Sequence, residues 1–236
     1  VPARLYSIAN FMRYERPQRG REREFWQLNA DLFGVDGPMA DAEIIEMSYR
    51  SVLNFGARPD MFTVRVNNRQ LVNQLLGQFL GLDVIGANMM TKLLDKKNKI
   101  PPETFKQQAI EIFGAEGSRE GLPKLAQMIS MKSVDDLPDE LSDSPSVQQI
   151  RTVMDLLRQK GVTNAVFDVT LMRGLDYYTG TVFEFFDNAP ENNRAMFGGG
   201  RYDGLVGLFG VEPMATVGVG MGATTMQVFL EVHGLL

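Results

Sequence analysis

The chain has 236 residues and a formal charge of −5, from 24 Lys plus Arg against 29 Asp plus Glu, with 44% hydrophobic and 22% charged residues. That balance excludes a disordered tail, a collagen-like fibre or a coiled coil as the main character, and the length fits one to two domains with a substantial core. With no Cys and a single His, His233, the chain holds no disulfide, thiolate metal site or Cys nucleophile, and no material for a multi-His metal site or an ordinary catalytic triad.

The chain opens at Val1, directly in a strand-like run, and a preceding natural segment is expected. No stretch approaches the roughly 20 apolar residues that span a bilayer, and the first residues show no charged n-region followed by an apolar h-region. A soluble, cytoplasmic protein without a membrane partner is expected. LYSIANFMRY (5–14) is aromatic and β-favouring, with partial alternation, and reads as a strand. Pro17 and Gly20 then break regular structure in an arginine-rich loop. FWQLNADLFG (25–34) reads as a second strand, antiparallel to the first, with Phe25, Gln27, Asn29 and Asp31 on one face.

Ile45, Tyr49 and Val52 recur at helical spacing over 40–56, and Gly56 stands where a helix stop belongs. FTVRVNN (62–68) alternates as a strand. The pattern is then helical from about 70 to 159, with breaks expected at Pro101, Pro102, Gly117 and Gly121. VDDLPDELSDSP (134–145) carries five acidic residues and two prolines and reads as an exposed linker. Strand patterns return in VTNAVFDVTL, YYTGTVFEFF (177–186), GLVGLFG and ATVGVGMG, followed by a helix over about 224–232. The organisation expected is a sheet domain in two parts, 1–69 and 149–236, interrupted by a helical insertion at 70–148.

Three constellations carry chemistry. Arg13, Arg16, Arg19, Arg21 and Arg23 crowd one loop, with Glu15, Glu22 and Glu24 among them. Guanidiniums are planar, permanently charged donors suited to a polyphosphate, although a solvated loop has the same composition. Arg13 and Glu15 fall on one face beside Phe25 and Gln27, an arrangement that suits a nucleobase and its phosphates. The second, LMRGLDYYTGTVFEFF (171–186), sets Arg173, Asp176, Tyr177, Tyr178 and Glu184 in an apolar sheet context. A buried Arg173 would pair with Asp176, whereas turns at Gly174 and Gly180 would expose it. The third, GGGRYDGL (198–205), is glycine-rich but lacks the Lys-Ser/Thr of a phosphate-binding loop. His233 reads as structural, near the end of the last helix, and the Met residues as core fillers.

Together these segments resemble a known family. FMRYERPQRGREREFWQLNADLFG is similar to motif 2 of class II aminoacyl-tRNA synthetases in its histidine-specific form. LMRGLDYYTGTVFEF and GGGRYDGL resemble the two histidine-recognition signatures of histidyl-tRNA synthetases. The resemblance implies an α+β catalytic core on a class II antiparallel sheet, with flanking helices and a helical insertion. It implies histidine activation with ATP to histidyl-adenylate and transfer to tRNA(His). It places Arg13 on the α-phosphate of ATP and the histidine carboxylate, Glu15 on the adenine edge, Arg21 on the outer phosphates and Phe25 stacked on adenine. Gln27 and Asp31 would line the amino-acid pocket, Asp31 where the family often has Glu. Arg173 matches the catalytic arginine. Tyr177, Tyr178 and Tyr202 would contact the substrate histidine, and Gly198 to Gly200 would wall its site, with Gly199 among the histidine-binding positions. Carboxylate attack on the α-phosphorus needs no protein nucleophile, so Arg and Mg²⁺ electrostatics suit it; no protein ligand for the metal is identified.

The chain departs from the family pattern in several places. On this resemblance, motif 1, a dimer element in the class, the upstream loop that holds the substrate amino group and the anticodon-binding domain are expected to have no counterpart within residues 1–236. Thr224 and Thr225 stand where motif 3 usually has Glu-Arg, which removes the usual arginine on the γ-phosphate. Weak or absent complete tRNA charging by these residues alone is expected, with a homodimer in the full-length protein. A rival reading is a non-catalytic histidine-sensing paralogue, of the type of the ATP phosphoribosyltransferase regulatory subunit. The altered motif 3 favours it and the arginines of motif 2 oppose it. A pure RNA-binding module is disfavoured by the charge of −5.

Overall fold

The structure, a computed structural model, describes residues 2–14, 16, 17, 20, 22–97, 99–172, 177–192 and 194–236. Seven strands form one sheet: β1 (Ala3–Met12), β2 (Glu24–Phe33), β3 (Phe62–Asn68), β4 (Ala165–Phe167), β5 (Thr181–Asp187), β6 (Ala195–Arg201) and β7 (Thr216–Gly222). Their order is β1-β2-β7-β6-β5-β3-β4. Every pair is antiparallel except β3–β4, which is parallel. The α+β class and class II-type sheet expected from the motifs are what is found, with that one parallel edge added.

Alternation makes the two faces of the sheet unlike. On the rear face Val64, Val66, Phe183, Phe185, Val217, Val219 and Met221 are buried. They pack beneath α1 (Pro38–Asn54), through Ile45, Tyr49 and Val52, and α6 (Ala223–Val232), through Met226, Phe229 and Leu230. Phe62 joins both helices, its ring 5.7 Å from Tyr49 and 6.3 Å from Phe229. His233 ends α6 with Nε2 2.8 Å from Asp187 Oδ1, which ties that helix to β5. The front face carries glycine and polar residues instead, and it faces the site.

Between β3 and β4 run α2 (Arg69–Gln74), which continues as a π-helical turn over Leu75–Phe79, then α3 (Val84–Lys96), α4 (Pro102–Ser130) and α5 (Pro145–Gln159). Asn68 caps α2 by accepting from Gln70 N at 2.9 Å and Leu71 N at 3.2 Å.

Three expectations are corrected. α4 runs on through Gly117 and Gly121 and breaks instead at Gly114, whose φ of 74° only glycine takes readily. Gly121 serves packing, since a Cβ there would lie 2.5 Å from the Phe113 ring. Segment 134–145 is no free linker: it makes two 3-10 turns, Val134–Asp136 and Asp139–Leu141, and buries Val134, Leu137 and Leu141, so its acidic residues decorate an anchored strap. GLVGLFG is not a strand. Val206–Phe209 form an exposed 3-10 turn, and the strand lies earlier, in AMFGGGR. Glycines at 198–200 hid it, because strand propensity rests on side chains that they lack.

Candidate functional site

Across the front face the register sets Asn29 opposite Gly220, Gly220 opposite Gly198, Gly198 opposite Glu184, and Glu184 opposite Arg65. One step along, Asp31 pairs with Gly218 and Gly218 with Gly200. The glycines leave a floor of bare backbone, and β2 supplies the polar wall. A Cβ at Gly220 would lie 2.8 Å from Gln27 Nε2, and one at Gly218 would run into the Asp31 carboxylate. The side chains of β2 thus lean over positions where β7 has none. Gln27 Nε2 donates to Asn29 Oδ1 at 2.6 Å, so Asn29 belongs to this wall although the motif reading assigns it no role.

At one end of the trough the Tyr202 hydroxyl donates to Asp31 Oδ1. Tyr177 lies 5.7 Å from Tyr202 and 4.9 Å from Tyr178, ring centre to ring centre, both edge to face. Burial raises the pKa of Asp31, and the bond from Tyr202 opposes part of that rise. Burial likewise raises Tyr177, Tyr178 and Tyr202, reinforced for Tyr202 by its bond to Asp31. Three neutral hydroxyls and one carboxylate give a set of donors and acceptors that can fix the tautomer of an imidazole-sized ring.

A buried ion pair holds this end in place. Arg201, 2% exposed, donates to Asp41 on α1 at 2.8 Å, to Asp203 at 3.0 Å and to the Gly37 carbonyl at 3.0 Å. Thr181 completes the shell of Asp41 at 2.6 Å. Burial raises the pKa of Asp41, with the charge of Arg201 opposing it. The network fixes Tyr202, the next residue, from behind. Nearby, Asn67 donates to the Val169 and Leu171 carbonyls, both at 3.2 Å, which positions the backbone leading to residue 173.

At the other end Arg13 follows β1 directly. The strand ends at Met12, so Arg13 stands past it and not on it, although its N–H still donates to the Arg23 carbonyl at 2.8 Å. Its guanidinium sits 4.2 Å above the Phe25 ring and donates to the Glu22 carbonyl at 3.2 Å. A recess of about 180 Å³ is lined here by Arg13, Phe25, Gln27, Met196, Gly220 and Thr225, among others. It adjoins a larger cavity of about 780 Å³ that Arg13, Met196 and Thr225 also line. Phe25 and Asp31 are six residues apart on β2, about 20 Å of strand. One elongated ligand could touch both ends.

The family model for histidyl-tRNA synthetase matches residues 1–225. The chain belongs to the histidyl-tRNA synthetase family. It is 36% identical over 236 residues to a histidine–tRNA ligase of Leptospira biflexa serovar Patoc, covering all of this chain and 54% of that relative. It is 36% identical over 245 residues to one of Pyrococcus furiosus, covering 100% of this chain and 55% of that relative. The chain thus spans about half the length of the curated relatives it matches. The structure of histidyl-tRNA synthetase from Nostoc sp. PCC 7120 superposes with a TM-score of 0.80 at 26% identity, over 99% of this chain and 55% of that one. A Bacillus halodurans structure described as an ATP phosphoribosyltransferase regulatory subunit/histidyl-tRNA synthetase shares the fold, with a TM-score of 0.76 at 23% identity.

Seven of the residues that the histidyl-tRNA synthetase motifs single out come together along the trough. Gln27, Asp31, Tyr177, Tyr178 and Tyr202 line the front face, and Arg13 and Phe25 close its other end. Gly199 lies in the floor strand with its Cβ direction turned rearward, to the Phe183 ring. Arg173, Glu15 and Arg21 lie outside the described residues. Asn29, Asn67 and the Arg201–Asp41 pair were not assigned from sequence. Only Asn29 left a signal there, by sharing the alternation of Gln27 and Asp31.

Proposed function

We propose that this chain is the catalytic core of a histidine–tRNA ligase, which activates L-histidine with ATP to histidyl-adenylate and transfers it to tRNA(His). The observation that carries this reading is one glycine-floored trough with an anion- and base-binding end, Arg13 and Phe25, and a ring-reading end, Asp31 with three tyrosines. Phe25 stacks the adenine and Arg13 holds the α-phosphate. Asp31 and the tyrosines hold the imidazole, and Gln27 borders the histidine between them. The attacking carboxylate is the substrate's own, so the chain's task is to hold two reactants in line and to offset negative charge as it develops. Arg173 takes the catalytic role in this reading, with Glu15 and Arg21 on the adenine edge and outer phosphates.

Among the described residues no group of three or more His, Asp or Glu lies together as a metal cage. In this reading Mg²⁺ would arrive on the phosphates of ATP and offset their charge. Residence in the cytoplasm and a homodimeric full-length enzyme belong to the same proposal. No described helix is long and apolar enough to cross a membrane. A histidine-sensing paralogue shares the fold, but it has no use for a base-stacking Phe25 beside Arg13.

The test is histidine-dependent exchange of pyrophosphate into ATP by the full-length protein. Exchange that requires histidine supports the reading; none, from folded protein that binds histidine, overturns it in favour of the sensor.

A further inference from the structure

Histidine brings three groups to be recognised: an imidazole, a carboxylate and an ammonium. In the trough the imidazole meets Asp31 and the tyrosines, and the carboxylate is directed at the phosphate that Arg13 holds. An ammonium is a donor only, so a wall that holds it must turn oxygen and not N–H toward it.

Between Phe25 and Asp31 on the front face of β2 stand two amides, Gln27 and Asn29. An amide presents opposite chemistry on its two branches, and the bond made by one branch decides which is left for a ligand. Gln27 Nε2 donates to Asn29 Oδ1 at 2.6 Å, a half-buried contact within the strand. Of the Gln27 side chain, Nε2 and Cδ also come nearest the bare Gly220, 2.8 and 3.3 Å from where a Cβ would stand. The nitrogen branch is thus turned along the wall to Asn29, and Oε1 is the branch left over. Turned the other way, Gln27 would set its oxygen against Asn29 Oδ1, two acceptors with no hydrogen between them.

The surroundings leave room for a ligand at this pair. Asn29 stands opposite Gly220, and Gly220 opposite Gly198, so the floor beside the amides carries no side chain. Gln27 also lines the recess that Arg13 and Phe25 share, which sets its amide between the ring-reading end and the phosphate end.

We propose that Asn29 is a positioning residue, which fixes the sense of the Gln27 amide so that Oε1 accepts from the α-ammonium of the substrate. The inference rests on the histidine reading of the trough and gives a role to a residue that the motifs leave without one.

Calorimetric titration of the full-length protein with L-histidine and with imidazolepropionate, which differs only in lacking the amino group, tests it. The ratio of the two affinities reads the ammonium contact alone. In Asn29→Ala that ratio should fall about tenfold, as expected when one charge-assisted contact is lost, while imidazolepropionate binds almost as before. Asn29→Leu, which keeps the volume and removes the acceptor, repeats the test where Asn29→Ala is unstable. Asn29→Asp should keep the ratio, because its carboxylate accepts the same Gln27 N–H. In Gln27→Glu both branches are oxygen, so no sense remains to be fixed, and adding Asn29→Ala should change little. Equal loss for both ligands in Asn29→Ala, the mark of a purely structural role, overturns the assignment. So does a ratio that drops as far on the Gln27→Glu background. A ratio near one in the unaltered protein overturns it too and leaves ring binding standing. Failure of the unaltered protein to bind histidine overturns the histidine reading, and this inference with it.

Discussion

Asp31 is placed where binding and stability pull in opposite directions. Burial holds its carboxyl above the usual carboxylate range, only partly relieved by Tyr202. Between the ordinary value and the raised one, the folded chain keeps a proton that the unfolded chain has released. Stability from this group therefore falls as pH rises through that window and stays lower above it. Asp31→Asn removes the titration. Its stability curve should lack that fall and lie above the parent's at neutral pH, while histidine affinity is largely lost. Urea unfolding from about pH 3.5 to 7 reads the first effect and histidine titration the second. Parallel curves for the two proteins would sink the assignment. Phe25 presents a milder exchange, because a base stacking on the face that Arg13 covers replaces a cation–π contact worth about 0.5–1 kcal/mol with a stack worth about 1–3.

At the scale of elements, β6 and β7 use glycine for two different reasons. A Cβ on Gly199 would press against the Phe183 ring at 2.7 Å and the Val219 Cα at 2.9 Å. Both belong to the rear, packed side, where little can move. A Cβ on Gly220 would meet the end of the Gln27 side chain at 2.8 Å and Asn29 Oδ1 at 3.3 Å, side-chain ends that can swing away. Gly199→Ala should thus destabilise by about 1–3 kcal/mol, as overpacking does. Gly220→Ala should keep its unfolding midpoint and instead weaken ligand binding by filling the trough. Denaturation and calorimetry on the same pair of proteins check the contrast; a destabilised Gly220→Ala that binds normally would refute it.

The same elements show what could be read before any coordinates. β1, β2, β3, β7 and α1 were legible because their alternation or helical spacing is carried by large side chains, and the motifs named the ends of the trough. β6 was illegible for the opposite reason: its floor works by having no side chains, so the feature that makes the site also erases the strand signal. Gly114 and Gly121 show the same limit within α4, since sequence cannot tell a glycine that breaks a helix from one that admits a neighbouring ring. The Arg201–Asp41 pair joins residues 160 positions apart, a separation that no local pattern reveals.

For the molecule as a whole, site and core share one sheet, so ligands should report on global stability. A ligand that binds only the folded chain adds about 2.7 kcal/mol at 100 times its dissociation constant. Histidine should therefore raise the melting temperature, and should raise it further with ATP present if the two meet in one trough. Stabilisation by histidine that ATP leaves unaltered would favour the sensing paralogue. The measurement reads ligand binding by the chain itself, which spans about half the length of the relatives it matches.

The alternation of β7 carries a last consequence. Gly218 and Gly220 face the trough, and Val217, Val219 and Met221 face the helices. A slip of one residue against β2 or β6 would exchange the two sets at once, sending valines under Asp31 and glycines into the core. The chain cannot misalign this strand and keep either its packing or its binding surface. A misregistered molecule would declare itself as unstable before it could persist as a folded but inactive one, so the core acts as a proofreader for the site.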